Sequence, residues 1–247
     1  MTSTPSLDIP RPRGALPLVV RHGGDAAAAY RNVMEALEEA IASGADMFEF
    51  DVRRTADDGL VVHHDECIGE LPLRDLTLRD AAAAAIAAGY ALPTLDVVLD
   101  RARGALRLDV EVKEAGYELA IVHAVRDRGY ADRDFVVTSF EASAIHVIRT
   151  SAPGVTTGLL VYDVTSDQAL RMFVQSGAAF LGPDHAIVDT AMLQAAAAVR
   201  TPLVPWTVND PDVLDRLMPA AAVTGVITDR PRLALETRWR LQSTGRL

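Results

Sequence analysis

The feature that most constrains the fold is a regular alternation of short β-rich runs and helical segments. Runs such as residues 106–113 and 157–161 are followed by segments whose apolar residues recur every three or four positions, as in a helix. This alternation predicts a parallel sheet whose strands are joined by helices. We count eight such units in 247 residues, which predicts a closed (β/α)₈ TIM barrel rather than an open sheet.

The predicted elements divide the chain into three parts. A flexible segment covers residues 1–15, a single barrel domain covers 16–237, and a tail covers 238–247. The predicted strands are residues 16–20, 47–52, 106–113, 135–138, 157–161, 179–181, 203–208 and 225–228. The predicted helices are residues 31–43, 95–101, 118–128, 143–150, 166–175, 190–199 and 211–217. No fold is predicted for residues 67–92.

Composition excludes several classes of protein. A net charge of −10 argues against nucleic acid and against an anionic membrane surface as partners. Residues 1–14 lack the apolar core of a signal peptide, and no apolar run could cross a bilayer, so we expect a cytoplasmic protein without stable membrane insertion. The single cysteine, Cys67, excludes an internal disulfide and a cysteine-rich metal site. The oligomeric state is left open.

Two carboxylates, Glu49 and Asp51, lie two residues apart in the second predicted strand. Side chains at this spacing share one face of a strand. Two buried acids on one face repel each other and lose hydration, so we expect a hard divalent cation between them. The alternative is an edge strand whose acidic face is solvated.

An Asp/Gly cluster after this strand predicts a β-hairpin, an excursion from the barrel, that returns through residues 60–65. If Asp57 and Asp58 form the turn, His64 lies opposite Asp51. If Asp58 and Gly59 form it, His64 lies opposite Arg53. Both registers predict that His64 returns beside the acidic pair, while His63 points to the other face and is structural.

Further polar side chains stand at the ends of other predicted strands. His22 ends the first strand, Glu111 and Lys113 end the third, and Trp206 and Asp229 end later ones. In a (β/α)₈ barrel these ends meet at one rim, where active sites lie. We interpret Asp229 as a helix cap.

The residue types at this rim are those that phosphoryl transfer requires. Three carboxylates without a nearby cysteine favour Mg²⁺, Ca²⁺ or Mn²⁺ over zinc. Two histidines can divide the acid and base roles near neutral pH. Lys113, together with Arg21 or Arg31, supplies positive charge for an anionic small molecule.

The chain resembles the glycerophosphodiester phosphodiesterases of the bacterial, barrel-fold type from about Val19 to Pro231. The resemblance rests on six motifs in family order: residues 44–52, 61–66, 93–95, 111–113, 206–209 and 227–231. The gap of 13 residues between Asp51 and His64 also fits the family pattern.

The resemblance implies a role for each rim residue. Glu49, Asp51 and Glu111 would hold a divalent metal ion (Mg²⁺ or Ca²⁺), and His22 and His64 would be the acid/base pair. Lys113 would contact the phosphate of a small-molecule phosphodiester, and Trp206 would line the glycerol end. The reaction implied is hydrolysis of a glycerophosphodiester to glycerol 3-phosphate and an alcohol, in which the neighbouring glycerol hydroxyl attacks first and gives a cyclic phosphate.

Two departures from the family lie close to His22. The usual His-Arg-Gly is His22-Gly23-Gly24 here, and the usual Pro-Glu-Asn-Thr eight residues on is Tyr30-Arg31-Asn32-Val33. We hypothesise that Arg31 replaces the missing guanidinium, with Arg21 as the rival donor. Two alternative functions stay open: a lysophospholipase D-like or other phosphodiesterase on the same barrel, and a phosphodiester-binding protein without catalysis.

Overall fold

The computed structural model describes residues 16–24 and 33–247. The segment predicted to be flexible, 1–15, lies outside them. Among the described residues the strands are β1 (Leu18–His22), β2 (Met47–Arg54), β3 (Leu60–Val62), β4 (Cys67–Ile68), β5 (Leu71–Pro72), β6 (Arg107–Val112), β7 (Phe135–Ser139), β8 (Thr156–Val161), β9 (Phe180–Pro183) and β10 (Gly225–Thr228). The helices are α1 (Val33–Ser43), α2 (Leu78–Ala87), α3 (Leu95–Ala102), α4 (Glu118–Asp127), α5 (Ala142–Ser151), α6 (Ser166–Ser176), α7 (Thr190–Val199), α8 (Pro211–Leu217) and α9 (Pro231–Ser243).

The parallel strands follow the order β10-β1-β2-β6-β7-β8-β9, and one irregular segment closes the ring. Leu203 bridges Leu181 of β9 on one side and Val223, next to β10, on the other. The predicted (β/α)₈ barrel is therefore confirmed. The predicted strand 203–208 is present only as isolated bridges, because Pro202 and Pro205 have no backbone N–H to donate to a ladder.

Side-chain alternation on β2 separates the barrel interior from the helix layer. Phe48 and Phe50 are fully buried in the cluster formed with α1, α3 and α4, and each contributes about 1.5–3 kcal/mol by its burial. Met47 instead packs with the apolar side chains that fill the barrel interior. Glu49 and Asp51 share the face of Met47, so they point inward.

The β2–β3 hairpin has a register that differs from both predicted ones. Val52 pairs with Val62, and the backbone N–H of His63 donates to the carbonyl of Asp51 at 3.0 Å. Thr55 and Gly59 close the turn through a 2.9 Å hydrogen bond, so three residues, not two, form the loop. This length pairs the backbone of His63, rather than that of His64, with Asp51.

The excursion continues beyond the hairpin, through the segment for which the sequence predicted no fold. It consists of the short β4–β5 hairpin, a 3₁₀ turn at Leu73–Asp75 and α2. Fully buried side chains of Val61, Ala81 and Ala85 hold it together in a small core of its own.

The C-terminal helix α9 corrects the predicted domain boundary at residue 237. The helix runs on to Ser243 and its Leu241 is fully buried. Arg238 joins it to the barrel through the carboxylate of Asp46 at 2.5 Å and the carbonyl of Pro17 at 3.0 Å. Residues 238–243 are thus part of the domain and not of a tail. Among the described residues no helix is both long and apolar enough to cross a membrane.

Candidate active site

Three buried carboxylates meet at the carboxyl ends of β2 and β6. Asp51 pairs directly with Glu111 in the parallel register of these strands, and Glu49 lies two residues before Asp51 on the same face. Ligand oxygens of the three side chains all lie within 4.8 Å of one another. Each residue is less than 8% exposed. The sequence brought these three residues together correctly.

Burial and mutual repulsion disfavour the ionised form of two of the three carboxyls. Burial, and then repulsion from Asp51, raises the pKa of Glu49 to about 8. The same two causes raise the pKa of Glu111. Burial also disfavours ionisation of Asp51, but Lys113 holds the pKa of this carboxyl below its usual value. A divalent cation would stabilise all three as carboxylates, and their all-oxygen donor set fits Mg²⁺ or Ca²⁺.

Lys113 provides one positive charge beside the cluster. Its Nζ lies 2.7 Å from Glu111 Oε1 and 3.2 Å from Asp51 Oδ1. Burial lowers the pKa of this amine, but the two carboxylates outweigh that effect and raise it to about 12. Lys113 therefore stays cationic, at the place where the sequence predicted a phosphate contact.

His22, at the end of β1, is hydrogen-bonded to Asp229, which directly follows the neighbouring strand β10. Its Nδ1 lies 2.8 Å from Asp229 Oδ1, and its Nε2 lies 3.8 Å from Glu49 Oε2. Asp229 in turn accepts a 2.6 Å hydrogen bond from the side-chain amide of Asn209. Burial lowers the pKa of His22, but the Asp229 hydrogen bond and the charge of Glu49 raise it to about 9.

This contact corrects the interpretation of Asp229 as a helix cap, since no side chain caps α9. The sequence analysis missed both Asp229 and Asn209 as partners of His22. Their positions could have predicted this contact. Each residue lies at the end of a predicted strand, and the first and last strands are neighbours in a closed barrel.

We expect Asp229→Asn to lower kcat for the phosphodiester hydrolysis that the motif resemblance implies by about 10- to 100-fold, the range usual for partners that orient a functional histidine. The amide keeps the shape but removes the charge that holds the Nδ1 proton. The loss of charge also lowers the pKa of His22, so the limb of the pH–rate profile that reports this histidine should move to lower pH.

The control for this measurement is Asp167→Asn, which removes an exposed carboxylate that pairs with Arg171 on α6. A full pH–rate profile of Asp229→Asn that coincides with that of the wild type would contradict the positioning role.

His64 lies at the exposed edge of the carboxylate cluster. Its side chain is 63% exposed, and its Nδ1 lies 2.8 Å from Asp65 Oδ1. It is close enough for its charge to lower the pKa of Asp51. His63 points the other way, as predicted, with Nε2 3.0 Å from the hydroxyl of Tyr90. His22 and His64 thus share one arrangement, with Nδ1 bonded to an aspartate.

Arg21 and Arg31 were both candidates for the phosphate-binding guanidinium, and the structure bears on only one of them. Arg21 lies on the face of β1 opposite to His22, and its Nε donates to Glu39 of α1 at 2.9 Å. Its Nη1 also lies 3.7 Å from Asp229 Oδ1, so Arg21 contacts the partner of His22 and not the carboxylate cluster. Arg31 lies outside the described residues, so its role stays a hypothesis.

The backbone of Gly23 lies directly against β2. Its backbone N–H donates to Glu49 Oε2 at 3.0 Å. A Cβ atom added here would lie 2.3 Å from the carbonyl oxygen of Glu49, which is much closer than a van der Waals contact. The close approach to β2 leaves no room for a side chain, and it lets the backbone stabilise the Glu49 carboxylate.

Aromatic side chains form the opposite side of the rim. The rings of Tyr162, Phe140 and Trp206 follow one another edge to face, with centroids 5.5 and 5.6 Å apart. The Trp206 indole donates to the carbonyl of Gly182 at 2.8 Å, which fixes its orientation. The Lys113 amine lies 5.9 Å from the centre of the Phe140 ring. The aromatic wall therefore begins beside the carboxylate cluster.

The closed barrel and the acidic rim define a (β/α)₈-barrel enzyme with a candidate metal centre. Residues 22–233 match the model of the Glycerophosphoryl diester phosphodiesterase family. The chain therefore belongs to this family of phosphoric diester hydrolases, as the motif resemblance predicted.

Individual relatives agree with this assignment. A glycerophosphodiester phosphodiesterase of Caldanaerobacter subterraneus is 28% identical over 232 residues, which cover 87% of this chain and 94% of the relative. The structure of a glycerophosphodiester phosphodiesterase from Parabacteroides distasonis has a TM-score of 0.76 at 24% identity and covers 93% of this chain and 98% of its own. The structure of an Oleispira antarctica phosphodiesterase in complex with the product sn-glycerol-3-phosphate has a TM-score of 0.76 at 20% identity, covering 90% and 96%. The two structures support the barrel fold.

Proposed function

We propose that this protein hydrolyses glycerophosphodiesters to glycerol 3-phosphate and an alcohol, with a divalent metal ion as cofactor. The observation that carries the proposal is the meeting of three buried carboxylates, a cationic lysine and an aspartate-bound histidine at one rim. Family membership supports the reaction. The product bound to the Oleispira relative, sn-glycerol-3-phosphate, supports the same product here.

Glu49, Asp51 and Glu111 are the residues that would hold Mg²⁺ or Ca²⁺. When bound, such an ion neutralises negative charge that develops on the phosphoryl oxygens. Lys113 adds a second, permanent positive charge next to Asp51 and Glu111, where it can bind a phosphate oxygen. Trp206 lines the side of the rim proposed for the glycerol group.

His22 and His64 divide the proton transfers. One takes the proton from the glycerol hydroxyl that attacks phosphorus, and the other gives a proton to the alcohol oxygen as its P–O bond breaks. Water then opens the cyclic phosphate with the two roles reversed. Asp229 and Asp65 bond Nδ1 of the two rings, which leaves Nε2 of each to exchange the proton.

The direct test is release of alcohol from glycerophosphocholine with added Mg²⁺ or Ca²⁺ and with excess EDTA. We expect turnover that EDTA abolishes and either metal restores, because three buried acids need a cation to stay ionised together. Turnover that persists unchanged in EDTA after extensive dialysis would rule out metal dependence. Binding of the diester without any turnover would favour the non-catalytic alternative.

We propose that Arg31 binds the phosphate, in place of the arginine that the family motif has at the position of Gly23. We expect Arg31→Ala to raise KM by about ten-fold, the effect of one lost charge-assisted hydrogen bond. Arg21→Ala should instead lower the melting temperature, since Arg21 is buried against Glu39. The reverse pattern, in which only Arg21→Ala impairs hydrolysis of the soluble enzyme, would refute the exchange.

A lysophospholipase D-like activity is the second candidate, and the aromatic wall favours it. Tyr162 is 60% exposed at the outer end of the wall, so an acyl chain on the glycerol group could continue along it. Release of choline from lysophosphatidylcholine at a higher kcat/KM than from glycerophosphocholine would support this candidate.

A further inference from the structure

A polar cleft of about 570 Å³ adjoins the carboxylate cluster, on the side where the β2–β3 hairpin leaves the barrel. The end of β2 with the turn after it, the side chains of Glu66 and Arg74, and the loop after β6 form its walls. Lys113 belongs to the lining, and its amine contacts both Asp51 and Glu111. The cleft therefore begins where the phosphate is proposed to bind.

Arg53 connects the cleft to the reacting groups. It follows Glu49 and Asp51 on the same face of β2 and lies about 7 Å farther outward than Asp51, two residues along the strand. It is 9% exposed, and its Nε donates to the carbonyl of His64 at 2.9 Å. Trp206, the wall proposed for glycerol, stands near β9 and β10. The cleft thus lies on the other side of the phosphate, where the alcohol has to leave.

Apart from Lys113, which pairs with Asp51 and Glu111, the charges along the cleft cancel in pairs. Three arginines and three carboxylates line it. The pairs are Arg53 with Glu114, Arg54 with Asp58 at 3.2 Å, and Arg74 with Glu66 at 3.3 Å. An anionic alcohol would meet the carboxylates, and a cationic one would meet the guanidinium groups. A neutral hydroxyl can donate to a carboxylate and accept from a guanidinium at the same time.

We propose that this cleft binds the alcohol portion of the substrate and selects a neutral, polyhydroxylated alcohol, such as a second glycerol or a cyclitol. Choline binds less well, because its quaternary ammonium group has no proton to donate to the carboxylates. A simple alkyl alcohol also binds less well, because it has too few hydroxyls to form hydrogen bonds with the arginine–carboxylate pairs. The inference rests on the proposed function, because the cleft only receives an alcohol if the diester binds at the carboxylate cluster.

The test compares kcat/KM for three esters of glycerol 3-phosphate, with glycerol, ethanol or choline as the alcohol. For the wild-type enzyme with Mg²⁺ we expect the glycerol ester to exceed the other two by at least about ten-fold, since hydrogen bonds to charged groups have effects of this size. Arg74→Met should reduce the ratio of glycerol to ethyl ester by about ten-fold for the same reason. Arg74 is 71% exposed, so the variant keeps its fold.

The matched control is Arg171→Met, which breaks an exposed arginine–aspartate pair on α6 and should leave the ratio as in the wild type. A choline ester that equals or exceeds the glycerol ester, or a ratio that Arg74→Met does not change, would overturn the assignment of the cleft.

Failure of the proposed function gives a different result, namely that no ester is hydrolysed with any added metal. The cleft is then tested by calorimetric binding of the glycerol ester to the full chain with saturating Mg²⁺. A Kd that rises about ten-fold in Arg74→Met, by the same loss of a charged hydrogen bond, supports the cleft. A Kd equal to that of the wild type overturns it.

Discussion

An Asp51→Asn variant should lose metal-dependent hydrolysis, with kcat lower by at least about 10³-fold, or about 4 kcal/mol of barrier. Asp51 stands at the centre of the cluster: it pairs with Glu111 in the sheet and repels Glu49. It is also the carboxyl of the three whose pKa lies below its usual value, because Lys113 favours its ionised form. Replacing it removes the charge on which a cation would depend most.

The measurement has two parts, since activity alone does not report on the metal. Calorimetric titration with Mg²⁺ or Ca²⁺ should show a binding isotherm for the wild type and none for Asp51→Asn. Asp167→Asn, which removes an exposed carboxylate, is the control and should behave as the wild type in both assays. The proposed metal centre would be refuted if Asp51→Asn kept wild-type affinity for the ion.

Removal of His22 should have the second largest effect. We expect His22→Ala to lower kcat by about 10²- to 10⁴-fold, the usual contribution of a positioned acid or base. The ring lies 3.8 Å from Glu49 and is held by Asp229, so its loss removes the positioned proton-transfer group. His146→Ala, on the exposed face of α5, is the control and should keep full activity.

The same variant can distinguish the two proton-transfer roles. The nitrophenolate group of a nitrophenyl ester leaves without needing a proton. Such a substrate should therefore restore most of the lost rate if the removed histidine is the acid that protonates the alcohol. If His22 is the base, His64→Ala should be rescued by this ester and His22→Ala should not. Rescue of neither variant would contradict the division of roles, and equal kcat for His22→Ala and wild type would remove His22 from the mechanism.

The site residues that lie on regular strands were predictable from the sequence. Glu49 and Asp51 had to share a face because side chains alternate along a strand, and Lys113 follows Glu111 at the same spacing. Carboxyl ends of parallel strands meet at one rim, so the convergence of these residues with His22 followed from the count of eight strand–helix units. These inferences depend on the spacing of apolar and polar residues within short stretches, and that spacing can be read from the sequence alone.

Contacts that depend on loops or on barrel closure were decided by the tertiary structure. A single extra residue in the turn between Thr55 and Gly59 placed the backbone of His63, rather than that of His64, opposite Asp51, because the length of the turn sets the register of a hairpin. The hydrogen bond between His22 and Asp229 joins residues 207 positions apart, and it exists because β10 pairs with β1 when the ring closes.

The sequence by itself therefore determined the barrel, its acidic rim and the family motifs, because local alternation of apolar and polar residues encodes which face each side chain occupies. The tertiary structure decided how the two histidines are held, that Arg21 faces Glu39 rather than the carboxylates, and that a charge-paired cleft opens beside Lys113. Each of these depends on the packing of segments far apart in the chain, for which no short-range pattern in the sequence carries information.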